Sequence, residues 1–233
     1  SNMNGSKALV LEKYCQANNR DFVRFDYRGH GESDGDFMEL TLSDWIDDAL
    51  FIFDQTTNIS VALDDTASKM QQQTPPILVG SSMGAWIAFH LALLRPVSGI
   101  VGIAAGVDFT ADLCTGLTPN ECEELDKNGV VYKPSQYDDL SPYPYTTKFL
   151  NDAMQNWLLL NKPTIPLSKN IPIHLVHGMK DCDVQWMKSI KIANKIEGND
   201  VTITLVKDGD HRLSKPDDLQ RMIATVKRIL HAT

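Results

Sequence analysis

The sequence predicts an open α/β fold, a mostly parallel sheet with helices on both faces. Three observations predict it. Short apolar runs without polar alternation recur along the chain, as expected of strands covered on both sides. Amphipathic stretches of helical length separate them, so strand and helix alternate and the strands run parallel. Finally, 233 residues with 42% apolar content suffice for one sizeable core, read as a single domain over residues 1–233.

The strand-like runs are residues 22–27, 77–80, 99–104, 173–177 and 201–206. Helical patterns cover 7–17, 42–54, 83–94, 186–196 and 217–230. The last has a clear start, because Lys215-Pro216 breaks the chain and Asp217 and Asp218 occupy the first turn. Residues 108–168 depart from this rhythm. There the strand signal disappears, helical patches lie near 119–127 and 145–160, and Ser141-Pro142-Tyr143-Pro144-Tyr145 intervenes. An insertion of about 60 residues is too long for an ordinary connection. It is read as a cap or lid over the strand ends, the other reading being a surface excursion with no functional part.

A net charge of −8 and a pI near 5.2 argue against a nucleic-acid partner, which would require a basic face. The four cysteines, Cys15, Cys114, Cys122 and Cys182, are scattered without metal-ligand spacing, which fits a reduced compartment better than a disulfide framework. The longest apolar stretches, around 86–94 and 99–107, fall short of the roughly 18 residues of a membrane span. No secretory signal opens the chain, so an intracellular setting is expected.

The chemistry begins at Gly80-Ser81-Ser82-Met83-Gly84, directly after a strand-like run and directly before a helical one. A G-x-S-x-G sequence in that context is a nucleophile elbow: a sharp turn presents the central serine, and its neighbours two residues either side must be small. Ser82 is the candidate nucleophile. The helix start at Met83 offers a backbone N–H and a positive dipole end to a developing oxyanion.

A serine needs a positioned base. Of six histidines, His90 and His174 fall inside a helix and a strand, His231 lies in the tail, His30 sits in a glycine turn and His177 ends a strand. His211 occupies the loop between the last strand and the last helix, where a base can reach the elbow. The acid is expected between serine and histidine in the chain. Asp181 and Asp183 both follow the 173–177 strand; Asp181 is favoured because it sits in the turn itself, and the other is left to cap the helix at 186–196. Gly29-His30-Gly31 does not continue into a dinucleotide fingerprint, and neither a metal nor an organic cofactor is expected.

Four segments together resemble one family: Phe25-Asp26-Tyr27-Arg28-Gly29-His30-Gly31-Glu32-Ser33-Asp34-Gly35, Gly80-Ser81-Ser82-Met83-Gly84-Ala85-Trp86, His177-Gly178-Met179-Lys180-Asp181 and Gly209-Asp210-His211-Arg212. It is the α/β-hydrolase-domain family that contains the mitochondrial palmitoyl-protein thioesterase, or mycophenolic acid acyl-glucuronide esterase, and its bacterial carboxylesterase relatives. The resemblance implies an α/β-hydrolase fold, Ser82 as nucleophile, Asp181 as acid, His211 as base, and the Met83 N–H as one oxyanion donor. It also implies hydrolysis of esters or thioesters, on small acyl compounds or S-acylated protein, in the cytoplasm of a bacterium or the mitochondrion of a eukaryote. In this family a strand and a turn precede the stretch like Ser1-Asn2-Met3, so the second oxyanion donor is expected upstream of Ser1 and the N-terminal strands are missing from the sequence. Ala85 and Gln185 stand where the relatives usually carry glycine and proline. Phe109, Tyr143, Tyr145 and Trp157 of the insertion are candidates to line an acyl pocket. Two other readings remain: a catalytically weak binding protein on this scaffold, and a lactonase or carbon–carbon bond hydrolase on the same three residues.

Overall fold

The computed structural model describes residues 2–62, 74–134, 142–168 and 170–232. Four strands, β1 (Ile77–Ser81), β2 (Gly99–Ile103), β5 (Ile173–Gly178) and β6 (Val201–Val206), form a sheet in the order β1-β2-β5-β6 with every pair parallel. All residues of β2 and β5 are buried, which is why these runs show no polar alternation.

Alternate side chains of the central strands enter different cores. Ile100, Ile173 and Leu175 join Trp45, Trp86 and Phe89 in the larger one, beneath α2 (Leu42–Ala62) and α3 (Met83–Leu94). Val101, Ile103 and Val176 pack instead with Leu11, Met222, Val226 and Ile229, beneath α1 (Ser6–Ala17) and α8 (Pro216–Ala232). The expected covering of both faces is therefore present. The strand ends are level with one another: Ser81 pairs with Ile103, Ile103 with Val176, and Gly178 with Val206. The loops after β1, β5 and β6 thus leave the sheet at one common edge, where open α/β sheets place their ligands.

Residues 22–27, expected as a strand, are not one. Their apolar side chains serve packing: Phe25 and Tyr27 rest on the larger core and Phe22 on the other. Their carbonyls go to a turn, since Ser33 Oγ donates to the Asp26 oxygen at 2.7 Å and the His30 N–H to that of Tyr27 at 2.9 Å. The insertion between β2 and β5 holds α4 (Phe109–Thr115), α5 (Pro119–Asn128), β3 (Val130–Lys133), β4 (Tyr143–Thr146) and α6 (Thr147–Gln155). The antiparallel β3–β4 pair corrects the expectation that residues 108–168 hold no strand. Four residues are too few to establish a period, and Pro144 reads as a loop residue; a two-stranded edge tolerates it.

One carboxylate ties the two ends of this insertion together. Buried Asp108, in the left-handed conformation at φ 54°, accepts the N–H groups of Leu158, Leu159 and Leu160 at 2.8, 2.7 and 3.1 Å. Beside it the Trp157 indole N–H donates to Thr110 Oγ1 at 2.8 Å. A buried N–H left without a partner costs roughly 1–3 kcal/mol. Asp108→Ala, which orphans the two buried N–H groups of Leu158 and Leu159, is expected to lower stability by about 2 kcal/mol or more, and Asp108→Asn by less. Urea unfolding of the two variants checks this, and an unchanged midpoint for Asp108→Ala contradicts it.

Candidate active site

Ser82 joins β1 to α3 with φ 54° and ψ −121°, a conformation costing a non-glycine residue on the order of 1–3 kcal/mol. Backbone bonds hold it there. The Ser82 N–H donates to the Ile103 oxygen at 2.9 Å, and the Ser82 oxygen accepts from Ala85 at 3.0 Å and Gly106 at 3.1 Å. Although Ser82 is the N-cap of α3, its side chain makes no capping bond, so its hydroxyl points elsewhere. Met83 is the first residue of α3, where N–H groups lie beyond the reach of intrahelical partners. The two glycines of the motif are not equivalent. A Cβ on Gly80 would stand 2.3 Å from the Gly84 oxygen and 2.6 Å from the Ala85 Cα, so only glycine lets α3 start this close to β1. A Cβ on Gly84 would meet nothing within 4 Å, which corrects the expectation that both must be small.

The Ser82 hydroxyl points to His211. Its Oγ lies 3.1 Å from His211 Nε2, and His211 Nδ1 lies 2.8 Å from Asp181 Oδ2. An ionised carboxylate only accepts, so Nδ1 carries the hydrogen and the Nε2 lone pair faces the serine O–H. The three expected residues therefore form one hydrogen-bonded chain, in the arrangement that a proton transfer from hydroxyl to imidazole requires.

Two glycines bring the loops of Asp181 and His211 together. A Cβ on Gly178 would stand 2.3 Å from the Gly209 oxygen, and one on Gly209 3.0 Å from the Gly178 Cα. Across that contact the Lys180 N–H donates to the Gly209 oxygen at 2.9 Å and the Met179 N–H to the Val206 oxygen at 2.8 Å. The His211 loop is fastened again by Leu213 N–H on Asp210 Oδ1 at 2.8 Å and Lys7 Nζ on the Arg212 oxygen at 2.5 Å.

The Asp181 side chain is wholly inside the protein. Its Oδ1 accepts the N–H groups of Asp183 at 2.9 Å and Val184 at 2.8 Å. Burial pushes the carboxyl up, but hydrogen bonds from His177, His211 and Val184 and the attraction of His211 outweigh it, leaving it well below the usual carboxylate range. Asp183 is exposed and does not cap α7 (Met187–Lys195), whose N-cap is Trp186 with no side-chain bond. Asp181, Asp183 and His211 each bring one potential ligand atom within 4.8 Å of the others, but Asp181 and His211 already spend those atoms on hydrogen bonds.

Among the remaining histidines, His90 Nε2 lies 3.0 Å from the Asn156 oxygen and His30 packs edge-on against Phe37 and Trp45. His177, given no role from the sequence, lies against Asp181 with Nε2 3.1 Å from Oδ2. The four-residue spacing of His177 and Asp181 across a glycine turn was the available signal. Of the four aromatic candidates, Phe109, Tyr143 and Tyr145 form a run of ring contacts at 5.2 and 6.3 Å, while Trp157 is tied to Thr110. A cavity of about 430 Å³ beside Arg24, Asp26, Asp48 and Phe51 is lined by none of the proposed site residues.

With this geometry in place, comparison with known proteins is informative. The pattern described as "Alpha/beta hydrolase family" matches residues 11–221. The chain belongs to the alpha/beta hydrolase family. This alpha/beta hydrolase is 35% identical over 232 residues to the protein named "Palmitoyl-protein thioesterase ABHD10, mitochondrial" of Bos taurus, covering 99% of this chain and 70% of the relative. The human protein of the same name gives the same identity and coverage. Among solved structures, a putative hydrolase from Agrobacterium vitis S4 superposes with TM-score 0.86 at 35% identity, covering 98% of this chain and 84% of that one. Alpha/beta hydrolase domain-containing protein 10 from mouse superposes with TM-score 0.83, also at 35% identity, covering 99% and 86%. The resemblance carried by the four sequence segments is thus borne out.

Two substitutions and one pH dependence test this geometry in the alpha/beta hydrolase. Gly80→Ala is expected to destabilise it by about 1–3 kcal/mol through overpacking, and Gly84→Ala to stay within about 0.5 kcal/mol of the parent, as thermal unfolding can show. Asp181 also links stability to pH. Its carboxyl binds a proton less readily when folded, so below roughly pH 4 the unfolded chain binds more protons and stability falls with pH. Asp181→Asn is expected to flatten that acid slope in denaturation curves taken between about pH 4 and pH 2.

Proposed function

We propose that this chain is a serine hydrolase of carboxylic esters and thioesters, with Ser82 as nucleophile, His211 as general base and then general acid, and Asp181 as the carboxylate that orients His211. The observation that carries the reading is the chain from Ser82 Oγ to His211 at 3.1 Å and on to Asp181 at 2.8 Å, starting from a strained turn at a helix N-terminus.

In the first half-reaction His211 Nε2 takes the hydroxyl proton as Ser82 Oγ attacks the acyl carbonyl carbon. Negative charge collects on the carbonyl oxygen beside the Met83 N–H and the positive end of α3. The tetrahedral species collapses, His211 returns the proton to the departing alcohol or thiol, and an acyl-Ser82 ester remains. Water, deprotonated by the same Nε2, then releases the acid and restores the hydroxyl. Asp181, deep inside and anionic, holds His211 in the required tautomer and stabilises the imidazolium formed in each half.

Thioesters enter the reading through relatives named as palmitoyl-protein thioesterases, each 35% identical to this chain. We read 108–168 as a cap over the strand ends. Tyr145 supports this: burial, with a smaller contribution from the Asp183 charge in the loop after β5, pushes its hydroxyl up to about 12. Tyr143, exposed on the same strand, and Tyr145 are the residues we assign to acyl contact, with Phe109 and Trp157 behind them. Relatives named as mitochondrial support the reading that the protein works in that organelle if its source is a eukaryote; for a bacterial source we read it as cytoplasmic.

Hydrolysis of p-nitrophenyl butyrate and of a palmitoyl thioester tests the reading. Both are expected to be turned over, and Ser82→Ala is expected to lose roughly 10³-fold or more in kcat. Turnover that survives Ser82→Ala contradicts the assignment.

A further inference from the structure

His177 and Ser189 are buried polar residues that this mechanism does not use. His177, in β5, and Ser189, in α7, both have no exposure to solvent. His177 Nε2 lies 3.1 Å from Asp181 Oδ2 and 2.9 Å from the Val184 oxygen. Both neighbours are acceptors, so Nε2 carries the hydrogen and shares it between them. In the neutral ring Nδ1 then offers a lone pair, and Ser189 Oγ, 2.7 Å away, donates to it. Ser189 is itself placed by its N–H on the Trp186 oxygen at 3.1 Å.

Asp181 Oδ2 is therefore shared by two imidazoles, His211 at 2.8 Å and His177 at 3.1 Å, in a place where water cannot substitute for either. We propose that the Ser189–His177 pair is a positioning element for the reaction, aiming Asp181 Oδ2 at His211 and drawing off part of its charge. The proposal rests on the reading of Ser82, His211 and Asp181 given above. The other polar groups around this chain have roles of their own. The N–H groups of Asp183 and Val184 hold Oδ1, and the Asp183 carboxylate lies within 4.8 Å of the His211 and Asp181 ligand atoms. Lys188, beside Ser189 in sequence, pairs with Asp112, and Lys180 pairs with Asp208 at 2.7 Å.

The geometry predicts more than a loss of packing. Without the His177 N–H, Oδ2 turns its whole charge on His211 and loses the partner that fixes its direction. His177→Phe is expected to lower kcat by roughly 10-fold to 10²-fold with KM unchanged. It is also expected to move the acid limb of the kcat/KM profile to higher pH, by about half a unit or more. His177→Gln, whose amide N–H can reach the same two acceptors, is expected to recover most of both. Ser189→Ala should shift both quantities in the same direction by less.

The experiment is a set of pH–rate profiles with p-nitrophenyl butyrate for the wild type, His177→Phe, His177→Gln and Ser189→Ala, each normalised to titrated Ser82, with Ser82→Ala as control. A purely structural role for His177 would lower the number of active molecules and leave kcat per site and the acid limb in place; that result overturns the proposal. If His177→Phe does not fold, Ser189→Ala decides, and an unchanged profile there overturns it. Wild-type turnover independent of Ser82 removes the reading of the site and this proposal with it. Ser82-dependent turnover with unmoved variant profiles removes the proposal alone.

Discussion

A carboxylate taken out of water must find all its hydrogen bonds inside the protein, and at Asp181 that requirement organises the whole candidate site. An unpaired buried charge would cost several kcal/mol. Asp181 avoids this with two backbone N–H groups on Oδ1 and two imidazole N–H groups on Oδ2. Those donors come from the turn after β5, from β5 itself and from the loop after β6. They converge only because β5 and β6 are parallel neighbours whose ends are in register at Gly178 and Val206. The glycine contact between positions 178 and 209 then closes the remaining gap. The same bonds that keep the carboxylate ionised also fix the direction of His211, so the stability of this loop cluster and the aim of that imidazole share one cause.

The serine side depends on strain rather than charge. A left-handed Ser82 is held because α3 is firmly anchored: Ala85, Trp86, Ile87 and Phe89 are all buried in the larger core, and each such side chain contributes roughly 1.5–3 kcal/mol when it is large. The bonds to Ile103 and Gly106 link the turn to β2 and the segment beyond it. That segment leads to Asp108, which holds both ends of the insertion. Elbow, sheet edge and insertion base are consequently one connected unit, and the aromatic residues of the insertion are carried by it.

Much of this was legible in the sequence. Four of the five strand-like runs became strands with ends displaced by one residue at most; in β2 and β5 the apolar run reports burial on both faces, whereas β1 and β6 are only partly buried. Residues 22–27 misled for the same reason: Phe25 and Tyr27 record burial, and burial is not ladder pairing. The β3–β4 pair stayed hidden because Val131 alone turns fully inward and Pro144 argues against a strand. At the site, order and context singled out Ser82, Asp181 and His211, and the structure brings these three side chains into one hydrogen-bonded chain. His177 was passed over: its four-residue spacing to Asp181 across Gly178 was the only signal, and a histidine ending an apolar strand reads first as packing. The difference between Gly80 and Gly84 was equally invisible; the motif asks the same of both, and only the path of α3 separates them.

The central claim is that His211 and Asp181 make Ser82 a nucleophile. A fluorophosphonate probe tests it most directly, since serine Oγ bonds to phosphorus as fluoride leaves only if the hydroxyl is activated. Intact-mass analysis followed by peptide mapping should find a single adduct, on Ser82 and not on Ser81, with labelling strongly slowed in His211→Ala. Labelling elsewhere, or labelling of Ser82 at an undiminished rate without His211, would contradict the account.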